Sequence, residues 1–250
     1  MKKMLLIGFL ILLAACQSAA QPPTPVPTQL LPSTITPTST VMPVTDTPVP
    51  TSTLEPTLTP FPRFFTDEFQ ASSPSWTLLQ TGNDTTPSTK TENSAFILQM
   101  DTPFTWAYSI YGAEEYQDVR LDARFANQAG SPASIGLVCR YHESEGWLEY
   151  NISTDGTYNV LYGQWLAEGI ADYLPILSAS SNAILPSGTS QEIGLLCSGA
   201  TLSLFIDQNL IRTVDVSRFE LPGGKVGITV SSFENSPVIA AFDWVRVSEP

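Results

Sequence analysis

Residues 135–162 read IGLVCRYHESEGWLEYNISTDGTYNVLY, and their alternation decides the fold. Runs 135–141 and 147–152 flank a turn at 142–146, and runs 147–153 and 157–162 flank Thr154-Asp155-Gly156. Asp-Gly supplies positive φ at little steric cost, so the second turn closes a tight hairpin. Side chains on a strand point alternately to opposite faces, so register sets the neighbours. Closing the first hairpin around Ser144 and Glu145 sets Arg140 opposite Glu149, and the second sets Asn151 opposite Asn159. Parity then puts Arg140, Trp147, Glu149, Asn151 and Asn159 on one face. Cys139, Tyr141, Leu148, Tyr150, Ile152, Tyr158 and Val160 fall on the other, which reads as core. The first face, polar with one aromatic ring, has the makeup of a ligand-binding concave face and equally of an ordinary solvated one.

Outward from this stretch the same texture continues. Further strands are expected near 65–69, 76–80, 95–100, 108–111 and 119–125 on the N-terminal side. After it they are expected near 192–198, 201–207, 209–214, 225–231 and 240–248. No long run of helical period intervenes, and many short strands separated by turns predict a sandwich. Residues 163–188 read as a long irregular stretch carrying Trp165, of the kind that tops a binding face or packs over a sheet edge.

The first sixty residues differ in kind. Lys2 and Lys3 precede 12 apolar residues, 4–15, too short to span a bilayer and right for the core of a signal peptide. They end in Leu13-Ala14-Ala15-Cys16, which resembles the lipobox of bacterial lipoproteins, whose cysteine is lipidated and becomes the first residue after cleavage. Residues 17–62 hold 12 Pro, 12 Thr and no Lys or Arg. Such a segment lacks both backbone donors and apolar mass, and in polyproline-II form reaches at most about 140 Å. The organisation expected is a signal peptide at 1–15, a lipidated Cys16 opening a disordered stalk to 62, and one β-sandwich domain over 63–250. That places the domain in the cell envelope, lipid-anchored on the extracytoplasmic side of the membrane.

An ordered set of short segments carries a resemblance. They include Phe65-Thr66-Asp67-Glu68-Phe69 with Ser75-Trp76, Tyr116-Gln117-Asp118-Val119-Arg120-Leu121, and Ile135-Gly136-Leu137-Val138-Cys139-Arg140-Tyr141. Tyr150-Asn151-Ile152-Ser153-Thr154-Asp155-Gly156 and Leu202-Ser203-Leu204-Phe205-Ile206-Asp207 follow, then Gly224-Lys225-Val226-Gly227-Ile228 and Phe242-Asp243-Trp244-Val245-Arg246-Val247. Together they resemble the concanavalin A-like (jelly-roll) lectin/glucanase sandwich, and more closely bacterial envelope domains and the related 3-keto-disaccharide hydrolase/laminin-G-like group. The resemblance implies an all-β jelly roll. That fold serves lectins, hydrolases and structural modules alike, so function rests on the site.

Net charge is −13, and 22 Asp and Glu against nine Lys and Arg lie in residues 61–250. An acidic surface with no basic cluster repels phosphate backbones and argues against nucleic acid as a partner. Of three cysteines, Cys16 is the lipidation site, which leaves Cys139 and Cys197 to pair in an oxidising compartment. His142 is the single histidine, so neither a His-based metal site nor a Ser-His-Asp triad can be completed. No metal site is assigned; a structural calcium ion is possible, with Asp67, Glu68, Asp207 and Asp243 as oxygen donors. Glycoside hydrolysis needs two carboxylates about 5–9 Å apart. The alternating acids of the glucanases (Glu-x-Asp-x-x-Glu) are absent here, and an Arg140 partner would hold the Glu149 carboxyl low. The expectation is therefore binding of a carbohydrate or envelope polymer through Arg140, Trp147, Glu149, Asn151 and Trp165. A glycoside hydrolase-like enzyme and a structural or protein-interaction module are the alternatives.

Overall fold

The computed structural model describes residues 62–70 and 75–250. The signal segment, Cys16 and the stalk up to residue 61 lie outside the described residues. Fifteen strands follow in order: β1 (Phe65–Asp67), β2 (Trp76–Gly82), β3 (Ser88–Glu92), β4 (Ala95–Met100), β5 (Thr105–Tyr116), β6 (Val119–Asn127), β7 (Ala133–His142) and β8 (Gly146–Ser153). Then come β9 (Thr157–Ala167), β10 (Ile170–Ser180), β11 (Gln191–Ser198), β12 (Thr201–Ile206), β13 (Asn209–Asp215), β14 (Gly224–Ser232) and β15 (Val238–Ser248). One 3₁₀ turn, Ser217–Phe219, precedes β14. Among the described residues no helix is long and apolar enough to cross a membrane.

The strands form two antiparallel sheets. Sheet I runs β13-β12-β11-β6-β15-β4-β3, with β1 added on β15; sheet II runs β10-β9-β8-β7-β14-β5-β2. The apolar member of each alternation points between the sheets. Leu98, Leu121, Ile193, Leu204 and Val245 from sheet I meet Leu137, Leu148, Tyr150, Ile152, Ile228 and Val230 from sheet II in one continuous core. Burying that side-chain area, at about 25 cal/mol per Å², is the main stabilising term. Cys139 on β7 and Cys197 on β11 form a disulfide that joins the sheets through the core.

Two elements depart from the sequence expectation. β3 falls in a stretch left unassigned, and the irregular stretch 163–188 is largely β-structure: β9 runs on to Ala167 and β10 occupies Ile170–Ser180. Pro175 hides β10, since a proline argues against a central strand. β10 is an edge strand, where the missing N–H costs no ladder bond.

Sheet II curls. Its outermost strands β10 and β2 approach each other, and the Ala171 amide donates to Thr81 Oγ1 at 3.1 Å. The face of sheet II turned away from sheet I is therefore a concavity rather than an open surface.

Candidate functional site

Register maps that concave face. Across β9, β8, β7, β14, β5 and β2, one row holds Leu161, Glu149, Val138, Gly227, Ile110 and Thr77. The next holds Asn159, Asn151, Gly136, Thr229, Tyr108 and Leu79, and a third begins with Ser153, Ser134, Ser231 and Trp106. Trp147 stands one row beyond Glu149, paired with Gly163. Trp147, Glu149, Asn151 and Asn159 thus share a face, as parity predicts.

Arg140 does not join them. β7 carries a bulge between Cys139 and His142, Arg140 has φ 52°, and Glu149 is paired with Val138. The bulge exchanges the faces of two side chains. Tyr141 moves from the expected core to the concave face. Arg140 turns toward the loops of sheet I, where Nη2 donates to the Gly199 carbonyl at 2.6 Å and lies 3.6 Å from Asp118. A classic bulge places its first residue near the right-handed helical region and a G1 bulge places a glycine at positive φ. A positive-φ arginine fits neither pattern, so no turn signal in the sequence betrays it.

Without Arg140, Glu149 is a lone buried carboxylate. It accepts from Trp147 Nε1 at 2.9 Å and from Asn151 Nδ2 at 2.8 Å. Burial pushes its carboxyl up, while hydrogen bonds from Trp147, Asn151 and Tyr108 pull the other way. This corrects the expectation of a carboxyl held low by arginine. It also isolates the group: the three mapped rows hold no second Asp or Glu with which it could share glycoside chemistry.

Trp147, expected as a ligand-binding ring, is not open to a ligand in this structure. Its side chain is wholly buried among Tyr108, Tyr141, Trp165 and Tyr173, with ring centroids 5.2–6.2 Å away. It also lies flat on Gly163, where a Cβ would come within 2.4 Å of the indole. Tyr173 reaches in from β10 and its hydroxyl meets that of Tyr108 at 2.5 Å. Sequence reasoning missed Tyr108, Tyr141 and Tyr173. The alternation Ala171, Tyr173, Pro175 was the one available sign of the third.

Open space remains at the end of the face. A cleft of about 590 Å³ is lined by Leu78, Leu79 and Gln80 of β2, by Tyr141 and Glu143, and by Trp165, Ala167, Glu168 and Gly169 of the β9–β10 hairpin. A second concavity of about 390 Å³ shares Tyr141 and Glu143 and adds Glu115, His142, Ser144 and Lys225. Trp165 is half-buried, and its Nε1 donates to the Tyr141 hydroxyl at 2.9 Å. Glu143 and Glu168 stand exposed on two hairpin tips.

The suggested calcium donors lie apart, with partners of their own. Asp67 accepts from Trp76 Nε1 at 2.9 Å, Glu68 accepts from Gln70, Asp207 accepts from the Glu192 amide, and Asp243 pairs with Arg124. Among the described residues no three His, Cys, Asp or Glu gather as metal ligands.

No protein-family profile matches the chain, and no curated protein matches it. Solved structures do. A Bacillus licheniformis β-glucanase superposes with TM-score 0.53 at 11% identity, over 75% of this chain and 98% of that one. A glycoside hydrolase family 16 endo-glucanase from Bacteroides ovatus gives 0.53 at 11%, over 74% and 99%. A β-1,3-1,4-glucanase (lichenase) from a mouse hindgut metagenome gives 0.50 at 11%, over 75% and 99%. At such identities the likeness is one of fold, and the described domain is a concanavalin A-like jelly-roll β-sandwich.

Proposed function

We propose that the chain is a lipid-anchored envelope protein whose jelly-roll domain binds carbohydrate without hydrolysing it. The observation that carries the reading is the cleft beside Trp165. An indole edge and the Tyr141 ring offer apolar surface to a sugar face, while Glu143 and Glu168 offer acceptors to its hydroxyls. Aromatic surface with a few convergent polar groups in a partly pre-formed concavity suits a binding site. Fold likeness to glucanases supports the ligand class, and the sequence of residues 1–62 supports the anchor at Cys16.

Binding is favoured over hydrolysis by the carboxylates. Glu149 is buried and alone, and Glu143 and Glu168 stand in solvent on separate hairpin tips, where nothing excludes water from a reacting bond.

The test is a glycan array with calorimetric titration of the full chain beside Trp165→Ala, with release of reducing sugar assayed on the same panel. Binding that vanishes in the variant while its melting temperature holds is the expected result. No binding and no sugar release would leave a structural or protein-interaction module as the better account. Cys16→Ala should move the chain from the membrane fraction to the soluble fraction.

A further inference from the structure

The cleft ends where Trp165 and Tyr141 touch Trp147, and what stops it there is the chain's own hairpin. Tyr173 lies over the concave face, edge-on to Trp147 at 6.2 Å and beside Trp106 at 6.2 Å, with its hydroxyl on Tyr108. Beneath it the face is aromatic, and further along the same rows it turns polar. Asn151 Oδ1, Ser134 Oγ and Thr229 Oγ1 are buried on three neighbouring strands and have no hydrogen-bond partner. Gly136, between Asn151 and Thr229, leaves the room that the Asn151 amide oxygen occupies. A face meant to stay dry satisfies its polar atoms, so three orphaned oxygens together mark a surface that is completed by something else.

The covering segment, residues 164–174, lies at a sheet edge and is tied inward by Trp165 to Tyr141, Ala171 to Thr81 and Tyr173 to Tyr108. β10 is an edge strand, and its register with β9 breaks between Pro175 and Leu177. On β9 the facing position at Tyr173 is Gly163. Its outward side has Leu166, Ile170 and Leu174 about half exposed or more, so little packing is lost there when it moves.

We propose that residues 164–174 are a displaceable cover, with Tyr173 as its plug and Trp165 carried on it as the moving wall of the outer cleft, and that the face exposed when the cover lifts, with Asn151 and Trp147, receives a further ring of the bound saccharide. This rests on the carbohydrate reading of the adjoining cleft. Tyr173 supplies to Tyr108 the hydroxyl contact that a sugar hydroxyl supplies once the plug has left. A ligand that prefers the open form shifts the population, and one short enough to fill only the outer cleft does not.

The experiment uses the full chain with a disaccharide and a hexasaccharide from mixed-linkage β-glucan, titrated against wild type, Tyr173→Ala, Tyr173→Phe and Trp165→Ala, with hydrogen exchange followed by mass spectrometry. Expected is about tenfold tighter hexasaccharide binding in Tyr173→Ala, from removing the cost of opening, and little change for the disaccharide. In the unliganded wild type, amides of residues 164–174 should exchange at least about tenfold faster than those of β8, and Tyr173→Phe should quicken them further without lowering the melting temperature greatly. The cover is overturned if residues 164–174 exchange together with β8, or if the hexasaccharide binds wild type and Tyr173→Ala equally while Trp165→Ala loses both sugars. If neither sugar binds any form, the carbohydrate reading falls and the saccharide half of this proposal with it, while the exchange rates still decide whether the segment opens.

Discussion

Trp147 donates its indole N–H to Glu149 across 2.9 Å, two residues along one strand, and both side chains are out of reach of solvent. The pair gives the concave face its character. An acid that stands this deep with no cation beside it is stable only through its donors, and the largest donor is itself a core residue.

Stability should fall with pH on account of Glu149. Burial raises its carboxyl, so the native state keeps the proton to higher pH than the unfolded chain does. That stabilisation is complete below the unfolded value of about 4.3 and is lost as pH rises through the folded value. Glu149→Gln titrates in neither state. Melting curves from about pH 4 to 8 should therefore show the variant gaining on wild type as pH increases; a difference that stays flat would mean that Glu149 is no more costly to ionise in the fold than in the coil.

The two tryptophans of the face should part company under substitution. Trp147→Ala opens a cavity in a packed cluster and should cost about 3–5 kcal/mol in denaturant unfolding. Trp165→Ala, at the half-buried wall of the cleft, should cost no more than about 2 kcal/mol while abolishing saccharide binding. Similar stability losses for both would place Trp165 in the core.

Cys139→Ser with Cys197→Ser removes a cross-link spanning 58 residues. In the chain-entropy account this costs about 4 kcal/mol, read as a drop in the denaturant midpoint together with a steeper slope, because the uncrosslinked coil exposes more surface. A much smaller drop would show that the core alone holds the sheets in register.

Gly136→Ala tests the polar floor. Its new Cβ would fall 2.1 Å from Asn151 Oδ1 and 2.3 Å from the Tyr150 carbonyl, and one of those is backbone. A loss of about 1–3 kcal/mol is expected from overpacking. Its companion Gly156→Ala meets no neighbouring atom and should cost only the strain of a positive φ, about 1 kcal/mol.

How much of this was written in the sequence varies by element. The Asp155-Gly156 hairpin and the pairing of Asn151 with Asn159 follow from turn chemistry and period, and the structure has both. The link between Cys139 and Cys197 follows from counting cysteines. Arg140 and Tyr141 were assigned to the wrong faces because a single bulge reverses parity, and the residue that adopts positive φ there is an arginine, with nothing local to announce it. β10 was obscured by Pro175, since propensity cannot tell an edge strand from a loop. The closure of the concave face is a property of sheet curvature. That emerges only when β10 and β2, some ninety residues apart at Thr81 and Ala171, are brought together.

One feature of the fold bears on mechanics. β1 pairs with β15, Phe65 beside Val247, so the domain's chain enters and leaves within sheet I. The cleft and the covered face belong to sheet II. On the proposed reading, in which the domain is anchored through its N-terminal side and holds a polymer, a tug resisted at Phe65 has to pass from one layer to the other, and the Cys139–Cys197 bond gives that load a covalent path across the sandwich. Reduced, the domain would carry the same tension on side-chain packing alone, and would be expected to yield by shearing its layers apart.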